Sequence, residues 1–389
     1  MMAGLLSPAL GQDQAEFERC LSGLRVQAMD KGIAAATLDR ALAGLKADFS
    51  VLERLDYQPE FRTPIWDYLA ALVDEQRIAD GRERLQEHAA VLAEIERRYG
   101  VDPATVVAVW GVESDFGKNF GGRPLLESLG TLSCFGRRQS YFSGEFIAAL
   151  GILDEGSLAA DKLKGSWAGA FGHTQFMPST YLRLAVDFDG DGRRDLVDSI
   201  PDALASTANF LARAGWQAGL PWGFEVRLPD GFSLAGEGRR SKRSLAEWRQ
   251  RGVERVDGLP LAPDDLGAGL VQPAEEGGPA FLLTKNFDAI YSYNASMSYG
   301  LAIAHLADRL RGGGDFVTPW PTDDLPLDRA GRRELQTLLT ERGHDIGPID
   351  GAIGARTRTA ILAEKRRLGW EETPRAGQKL LRALRGEAQ

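Results

Sequence analysis

The stretch Val101–Gly122, VDPATVVAVWGVESDFGKNFGG, is the segment around which the rest of the chain is organised. Asp102 is a favourable N-cap and Pro103 is a favourable first helical residue, so the stretch predicts a helix that begins here. The apolar face of this helix recurs at helical spacing and is formed by Val106, Val109 and Trp110. A Val- and Trp-rich helix of this kind belongs in a protein core.

Glu113 is the next residue on that apolar face. A buried carboxylate costs free energy unless it is paired or protonated, and desolvation raises its pKa. A raised pKa suits a general acid that works near neutral pH. The glycines that follow, Gly117, Gly121 and Gly122, suit a wall where a substrate comes close to the backbone. On this stretch alone, a structural Glu that pairs with an arginine or caps a neighbouring helix is an equally good interpretation.

The composition limits the classes of protein that the chain can represent. It has 389 residues, of which 43% are hydrophobic, and this length usually forms two or three domains. A net charge of −9 argues against nucleic acid as a partner. No apolar stretch reaches the length of a transmembrane helix. The sequence also lacks a G-x-S-x-G elbow, a P-loop and a dinucleotide-binding fingerprint in a strand–helix context.

The N-terminus and the two cysteines bear on cellular location. Residues 1–11, MMAGLLSPALG, are apolar and uncharged, and they fit either the end of a secretory signal or a frayed terminus. Cys20 and Cys134 would be able to pair in an oxidising compartment, but their spacing does not show that they are close. Cys20 lies within the charged stretch FERCLSGLR, which is unlike a lipid-attachment site. The four histidines are scattered, and no Cys/His cluster has zinc spacing.

Helical periodicity dominates the first third of the chain and returns near its end. The predicted helices before the Glu113 helix are Phe17–Met29, Ala34–Leu45, Pro64–Ile78 and Gly81–Tyr99. Those after it are Ser199–Ala214, Leu245–Arg251, Ala295–Arg311, Arg329–Arg342, Ala355–Leu368 and Gln378–Leu384. Dense Gly and Pro from Gly219 to about Phe281, with short apolar runs at Phe224–Leu228 and Phe281–Leu283, predict a small β-containing insertion.

The segment Asp187–Asp198, DFDGDGRRDLVD, has the spacing of an EF-hand calcium loop. Its predicted ligands are the carboxylates of Asp187, Asp189 and Asp191, the carbonyl of Arg193 and the carboxylate of Asp198. Asp198 stands where a bidentate Glu is usual, and it is one methylene shorter. The alternative is a solvated acidic turn. A calcium ion here would be structural, because the segment joins two core helices and carries no group placed for proton transfer.

Three further segments carry polar or aromatic groups that suit a saccharide. Ser166 and Gln175 lie in the glycine-rich segment Gly165–Tyr181, where a tight helix crossing that needs small residues is the slightly better interpretation of the spacing alone. Tyr291–Tyr299, YSYNASMSY, fits either an aromatic platform or a capped helix start. Arg137 and Arg138 fit either the edge of a polar groove or a solvated pair.

Taken together, these stretches resemble the membrane-bound lytic transglycosylase B family of peptidoglycan-cleaving enzymes. The resemblance covers roughly residues 15–311, in the order GVESDFGKNFGG, TLSCFGRRQSYFSGE, KGSWAGAFGHTQFMPSTY, AVDFDGDGRRDLVDSIPDALASTANFLARAGW and YNASMSYGLAIAHL. The tail LQTLLTERGHDIGPIDGAIGARTRTAI resembles a three-helix peptidoglycan-binding domain, with Ala363-Glu364 where that domain often carries Phe-Gln.

The resemblance implies a mainly α (α+β) chain with a lysozyme-like catalytic domain, a small β insertion and an EF-hand-like loop. The expected division is a signal remnant over 1–14, a catalytic domain over 15–311 with the β insertion at about 219–285, a linker over 312–326 and a peptidoglycan-binding domain over 327–389. The expected partner is the peptidoglycan glycan strand, with cell-wall synthesis proteins as further candidates. Because Cys20 is unlike a lipid-attachment site, we expect a soluble periplasmic form, and we take a monomer as the default oligomeric state.

Residue by residue, the resemblance makes Glu113 the single catalytic acid and base. The residues that it assigns to the saccharide groove are Ser166, Gln175, Tyr293, Asn294 and Tyr299, with Arg137 and Arg138 at its edge. It assigns the metal loop to Asp187, Asp189, Asp191, Arg193 and Asp198, and it implies no cofactor for catalysis. Asp115 follows Glu113 by two residues and faces away from it on a helix. Such a site implies non-hydrolytic cleavage to 1,6-anhydromuramyl ends; the alternatives are a hydrolytic muramidase and a non-catalytic, calcium-stabilised cell-wall binding protein.

Overall fold

The computed structural model describes residues 8–55, 63–274 and 277–387, which fall into two units. The first unit contains Met1–Pro59 and Arg84–Ala214, and the second contains Glu60–Glu83 and Gly215–Gln389. Residues 1–7 of the expected signal remnant lie outside the described residues, and the first helix begins at Pro8. Among the described residues, no helix has the length and apolarity that crossing a membrane requires.

Helices dominate both units, and the strands are short. The helices up to the glycine-rich segment are α1 (Pro8–Asp30), α2 (Ala35–Leu42), α3 (Ile65–Leu72), α4 (Glu75–Glu87), α5 (Ala89–Tyr99), α6 (Pro103–Ser114), α7 (Leu125–Phe135) and α8 (Gln139–Glu155). Those that follow are α9 (Pro178–Leu184), α10 (Ile200–Arg213), α11 (Leu245–Gln250), α12 (Lys285–Tyr291), α13 (Met297–Leu310), α14 (Arg329–Glu341), α15 (Ala355–Arg367) and α16 (Gln378–Arg385). The predicted mainly helical class with a small β insertion is confirmed.

The strands form one pair and one sheet. Strands β1 (Arg123–Pro124) and β2 (Lys164–Gly165) pair in the first unit. The sheet of the second unit is formed by β3 (Gly223–Arg227), β4 (Lys242–Ser244), β5 (Glu254–Arg255), β6 (Gly267–Val271) and β7 (Ala280–Leu283). Its order is β4-β6-β7-β3-β5, and its paired strands run antiparallel. The sheet covers a core that contains Phe224, Leu245, Trp248, Leu270 and Leu282.

Two predicted helices break at other places than the sequence pattern indicates. The predicted break at Ile78–Gly81 is wrong, because Gly81 lies buried inside α4. The chain breaks instead at Asp74, whose carboxylate accepts the Arg77 N–H at 3.0 Å and so begins α4. A second break falls at His88, before α5. The Asp74 cap, and not Gly81, therefore determines where this helix begins.

The Glu113 helix begins as predicted, but it is buried on all sides and not only on the predicted apolar face. The Asp102 carboxylate accepts the Thr105 N–H at 3.1 Å, and Pro103 is the first residue of α6. Every residue from Ala104 to Gly111 is buried, so α6 has no solvent face. Helices α7 and α8, which the sequence patterns did not identify, form a hairpin of the same unit. Gly130 on α7 allows the rings of Phe17 and Phe146 to approach its backbone.

The two cysteines are joined by a disulfide. Cys20 on α1 bonds to Cys134 near the end of α7, across 114 residues of sequence. The rings of Phe17 and Phe135, close to the two cysteines in the chain, stack at a centroid distance of 6.3 Å. The pairing that the sequence left open is therefore formed between helices that also pack together.

The C-terminal domain contains α14, α15 and α16 around a small apolar core, as the three-helix prediction requires. This core includes Leu335, Leu339, Ile361, Leu380 and Leu381. Glu364, the residue that departs from the usual Phe-Gln pair, is buried and accepts from His344 Nε2 and Arg367 Nε, each at 2.9 Å. Burial alone would raise the pKa of Glu364, but these two partners hold it below its usual range. The departure therefore contributes an internal ion pair.

Residues 312–326 are a linker by composition, yet they are ordered against the second unit. The Glu225 carboxylate accepts the N–H groups of Val317 and Thr318 at 2.8 and 2.7 Å. The Phe316 ring stacks on His305 at 4.1 Å and meets Phe281 edge-on at 4.9 Å. Such contacts with α13 and the sheet fix the path of a segment that composition alone describes as flexible.

A network of ion pairs joins the end of the linker and the C-terminal domain to α3. Arg375 donates to both carboxylate oxygens of Asp67, at 2.6 and 3.0 Å, and to Asp324 at 2.8 Å. Burial raises the pKa of Asp67 even though Arg375 opposes the shift. Arg332 of α14 donates to the Ala71 carbonyl, and burial lowers its pKa to about 10. The domain is therefore attached through partly desolvated charges.

We expect Arg375→Met to lower the free energy of unfolding by about 3 kcal/mol, because it leaves two partly buried carboxylates without their shared cation. Arg356→Met, in the same domain, removes an exposed pair with Asp345 and should cost less than about 1 kcal/mol. Urea unfolding of both variants measures the difference. Equal costs for the two variants would mean that the Arg375 network does not hold the domain in place.

Candidate active site

Glu113 is partly buried at the last turn of α6, where the chain changes direction sharply. Asp115 closes the helix in the left-handed region, with φ 51°, and its N–H donates to the Gly111 carbonyl at 3.1 Å. Phe116 follows with φ 57°. Two successive non-glycine residues in this region are strained, and strain of this kind is common at functional sites. Because of this turn, the chain leaves the helical path directly after Glu113 and Ser114.

The glycines after Glu113 make a close backbone contact with the glycine-rich segment. A Cβ added at Gly121, where φ is 78°, would overlap the Gly165 carbonyl. A Cβ at Gly165 would in turn overlap the Ala170 carbonyl. Gly172 lies equally close to the Leu196 carbonyl, within 2.5 Å of where its Cβ would be. These glycines are therefore required for the close backbone packing of the glycine-rich segment against the chain that follows α6.

Ser166 and Gln175, both predicted to contact saccharide, are positioned by this glycine-rich segment. The Ser166 hydroxyl oxygen accepts the Ala170 N–H at 3.1 Å, which leaves its proton available as a donor. The Gln175 amide nitrogen donates to the carbonyls of Gly172 and Phe120, at 2.9 and 3.2 Å. Because both amide protons are used, Gln175 offers its carbonyl oxygen as an acceptor. Its backbone is also strained, with φ 51°.

Tyr181, at the end of the same segment, has a structural role. It is fully buried, and its hydroxyl donates to the Arg194 carbonyl. Burial raises the pKa of Tyr181 to about 12, so the phenol stays protonated. This residue is unavailable to a saccharide.

Arg137 and Arg138 lie exposed between α7 and α8. Arg138 has φ 61°, and its guanidinium lies 4.5 Å from the centre of the Tyr141 ring. Tyr141 is itself 40% exposed, so the pair forms a cation–aromatic surface in contact with solvent. The disulfide at Cys134 anchors the helix end from which this surface extends.

In the second unit, Tyr293, Asn294 and Tyr299 surround the start of α13. Asn294 is exposed and lies in the turn before the helix, while the N-cap is Ser296, whose hydroxyl accepts the Tyr299 N–H at 3.4 Å. The expectation that Asn294 lies near the cap is therefore shifted by two residues. The rings of Tyr293 and Tyr299 stack at 6.4 Å, and Tyr299 is buried. The segment is both a capped helix start and an aromatic pair.

The acidic loop Asp187–Asp198 folds around its own backbone. The two Asp187 oxygens accept the N–H groups of Gly190 and Gly192, at 2.8 and 2.9 Å. One oxygen each from Asp187, Asp189 and Asp202 lie within 4.8 Å of one another, a spacing that suits one cation. Asp202 comes from the first turn of α10, and its pKa is raised by burial.

Two of the predicted calcium ligands have other partners. Asp191 accepts from the Arg193 guanidinium at 3.0 Å, and that hydrogen bond lowers the pKa of Asp191. Asp198 pairs with Lys162 at 2.9 Å. Asp202 lies beyond the twelve-residue loop pattern, so that pattern does not predict it as a ligand. Its only signal is an acidic residue in the first turn of the next helix, which is a common and unspecific feature.

His173 is a second residue that the sequence analysis did not single out. It is buried within the glycine-rich segment, and its Nδ1 accepts the Trp110 Nε1–H at 3.0 Å. The backbone carbonyl of His173 accepts the Ser114 hydroxyl at 2.5 Å. A lone histidine among glycines carries no sequence signal for these contacts, since Trp110 lies 63 residues earlier.

Comparison with known proteins places these features in a family context. Residues 16–308 match the family model described as "Transglycosylase SLT domain", and residues 328–384 match a peptidoglycan binding domain. The chain is 35% identical over 221 residues to membrane-bound lytic murein transglycosylase B of Escherichia coli. That match spans 54% of this chain and 56% of the relative, so about half of the relative's length is covered.

Solved structures extend the comparison to nearly the whole chain. SltB3 from Pseudomonas aeruginosa in complex with NAG-anhNAM-pentapeptide is 47% identical, with 95% of this chain and 99% of that chain covered and a TM-score of 0.76. The Escherichia coli lytic transglycosylase Slt35 in complex with calcium is 28% identical, with 77% of this chain and 93% of that chain covered and a TM-score of 0.65.

We expect Gly121→Ala to lower the free energy of unfolding by about 3 kcal/mol, because the added methyl group meets the Gly165 backbone at a positive φ. Gly122→Ala is the matched control, since no heavy atom lies within 4 Å of its added Cβ. Chemical denaturation of the two variants measures the contrast. If both glycines tolerate alanine equally, the close contact between Gly121 and Gly165 is not required for stability.

Proposed function

Because the chain belongs to the transglycosylase SLT domain family, we propose that it is a lytic murein transglycosylase in which Glu113 acts first as acid and then as base. The observation that carries this proposal is the placement of Glu113. It lies in the last turn of a helix whose residues from Ala104 to Gly111 are all buried, just before a strained turn. The next residue, Ser114, bonds to the glycine-rich segment through the His173 carbonyl. A carboxylate held in this way at the end of a buried helix is suited to proton transfer to a glycan.

In the first step, protonated Glu113 donates its proton to the oxygen that links N-acetylmuramic acid to N-acetylglucosamine. The bond from C1 of the muramic residue to that oxygen breaks, and C1 takes on oxocarbenium-like character. The acetamido oxygen of the same sugar traps C1, while the Ser166 proton and the Gln175 acceptor hold the sugar in place. Glu113 is left as a carboxylate.

In the second step, the Glu113 carboxylate removes the proton from the C6 hydroxyl of the muramic residue. That oxygen attacks C1 and displaces the acetamido oxygen, which closes a 1,6-anhydro ring. No water is consumed, and Glu113 regains the proton with which it began. The atoms and charges of the cycle therefore balance with one carboxyl group.

The other buried carboxylates of the first unit support a single-carboxylate scheme. Glu145 accepts the N–H and the hydroxyl of Ser179, at 2.9 and 2.7 Å, and so stabilises the start of α9. Asp202 accepts the N–H groups of Phe188, Asp189 and Asp195. Asp195 accepts the N–H groups of Val197 and Asp198, each at 2.8 Å. These three groups are engaged in structure, whereas a hydrolytic muramidase would need a second carboxylate to direct water.

Further site residues extend the proposal to substrate binding. We propose saccharide contacts for Tyr293 and Asn294, since an aromatic ring and an exposed amide are groups that sugars prefer. Tyr299 is buried and stacks on Tyr293, so its proposed role is to support that ring. For Arg137 and Arg138 we propose contacts with anionic groups of the substrate, because both guanidinium groups are exposed. The domain over residues 327–389 would add affinity for glycan strands, in line with its family match.

The disulfide supports a periplasmic location. A bond between Cys20 and Cys134 persists in an oxidising compartment and is rare in the bacterial cytosol. Peptidoglycan lies in that same compartment. The proposed location and the proposed substrate therefore agree.

Glu113→Gln tests the catalytic role. We expect this variant to keep its fold and its binding to purified sacculi but to lose at least about 10³-fold in turnover, because an amide cannot donate or accept the proton. Glu96→Gln makes the same substitution at an exposed position on α5 and should keep wild-type turnover. The readout is mass spectrometry of the muropeptides released from the sacculi.

The released products separate the proposal from its alternatives. Muramic ends that are one water lighter than hydrolytic products, and that resist reduction, are the expected result. Reducible ends would identify a muramidase instead. Binding without release by the wild-type protein would make the chain a cell-wall binding protein, and near-native turnover by Glu113→Gln would remove Glu113 from the mechanism.

We further propose that the acidic loop holds a structural calcium ion. The oxygens of Asp187, Asp189 and Asp202 would be among its ligands, and a hard cation prefers such a donor set. The Asp187 carboxylate accepts the N–H groups of Gly190 and Gly192 and so stabilises the turn of the loop. The φ values of these two glycines are 78° and 88°. When bound, the ion would neutralise the acidic cluster. It takes no part in the proton transfers assigned to Glu113.

Removal of calcium should therefore lower the melting temperature. A ligand present at 100 times its Kd stabilises a fold by about 2.7 kcal/mol, and excess chelator would remove that amount. Asp189→Asn should abolish the response to chelator, whereas Asp161→Asn, an exposed carboxylate outside the loop, should retain it. Thermal melts with calcium and with chelator give the comparison. A wild-type melt that ignores chelator would contradict the calcium site.

A further inference from the structure

His173 joins three segments of the first unit through one residue. Its ring accepts the Trp110 Nε1–H at 3.0 Å, which links it to α6 one turn before Glu113. Its carbonyl accepts the hydroxyl of Ser114, the residue directly after Glu113, at 2.5 Å. Its own N–H donates to the Leu196 carbonyl of the acidic loop at 2.9 Å. We call these three hydrogen bonds the His173 junction.

The junction also fixes the turn that carries Gln175. The chain from Gly172 to Gln175 forms a tight turn, in which the Gln175 N–H donates to the Gly172 carbonyl at 3.3 Å. Gly172 and Gln175 both have positive φ, of 75° and 51°. A non-glycine residue keeps such a conformation only when its surroundings impose it. His173 supplies that constraint from inside the turn.

The ring of His173 is in the form that this contact needs. Tryptophan Nε1–H is a donor only, so His173 Nδ1 must be unprotonated and its proton must lie on Nε2. Burial lowers the pKa of His173 to about 4, which keeps the ring neutral at neutral pH. Trp110 and Phe120 also meet the ring edge-on, at centroid distances of 5.4 and 4.6 Å. The hydrogen bond from Trp110 therefore fixes the tautomer, and the two ring contacts fix the orientation of the imidazole.

We propose that His173 is a positioning residue for the reaction, which holds Gln175 in a fixed relation to Glu113. His173 bonds to Trp110 and Ser114, which lie before and after Glu113 on α6. The backbone of His173 is also part of the strained turn that positions the Gln175 side chain. The inference rests on the proposed function. It goes beyond that function by assigning a positioning role to His173 and Trp110, which the proposed proton transfers do not use.

Two matched Trp→Phe variants distinguish a positioning role of His173 from a purely structural one. Trp110→Phe removes the donor to His173 and keeps an aromatic ring in place. Trp248→Phe is the control, because Trp248 is likewise fully buried and its Nε1–H donates to a buried acceptor, the Ala268 carbonyl, at 2.8 Å. Trp248 belongs to the sheet core of the second unit. Both variants lose one buried Trp hydrogen bond.

The test measures kcat and KM on solubilised glycan strands, together with melting temperature. We expect Trp110→Phe to lower kcat by about 30-fold with KM changed less than about threefold, because a misplaced pair of groups costs most in the transition state. Trp248→Phe should keep kcat within about twofold, whatever its effect on melting temperature. Equal losses of kcat in the two variants would overturn the proposal.

A second pair of variants changes the acceptor itself. His173→Asn places an amide oxygen near the position of Nδ1 and should restore about tenfold of the kcat that His173→Leu loses. Equal kcat for these two variants would also overturn the proposal. An experiment that does not depend on turnover follows the side-chain amide protons of Gln175 by NMR. Their hydrogen exchange should be slow in the wild type and faster in Trp110→Phe.

The two readouts separate a failure of this inference from a failure of the proposed function. If the wild type releases no anhydromuramyl product, the proposed function fails, and the NMR comparison still decides whether His173 holds Gln175. If product forms but Gln175 exchanges equally fast in the wild type and in Trp110→Phe, the positioning role is rejected while the proposed function stands.

Discussion

The close contact between the backbone after Glu113 and the glycine-rich segment is the constraint on which the first unit depends. Gly121 and Gly165 let two segments of the backbone approach at a distance that any side chain would prevent. This approach joins the segment after α6 to the glycine-rich segment, and the Gln175 side chain donates across the same contact to the Phe120 carbonyl. The glycines are needed here because any side chain would separate the two backbones.

Rigidity around that contact comes from hydrogen bonds between distant segments. Trp110 and Ser114 on α6 both bond to His173, and His173 bonds to the acidic loop. Strained residues such as Asp115 and Gln175 are kept in place by this network. Buried polar groups that are fully partnered specify one arrangement of the core more sharply than apolar contacts do. A site that must place one proton within hydrogen-bond reach of two different oxygens benefits from that property.

The second unit shows the same reliance on paired charge. Arg375 lies between Asp67 and Asp324, and Glu225 accepts two N–H groups of the linker. A linker defined by Gly, Pro and Asp would be flexible in isolation. Here the backbone of Val317 and Thr318 and the ring of Phe316 make contacts that fix the path of the linker. The buried Glu364 of the C-terminal domain shows that a departure from a motif can be absorbed as an internal ion pair.

The sequence by itself determined the features that depend on near neighbours. The capped start of α6, the helix predicted over Ser199–Ala214 and the three C-terminal helices were all found as predicted, because capping and periodicity act over a few residues. Only the tertiary structure decided which distant groups meet. It paired Cys20 with Cys134, brought Asp202 to the acidic loop and placed His173 between Trp110 and Ser114. Such contacts join residues far apart in the chain, and they form only when the packing of whole helices offsets the entropy of closing long loops.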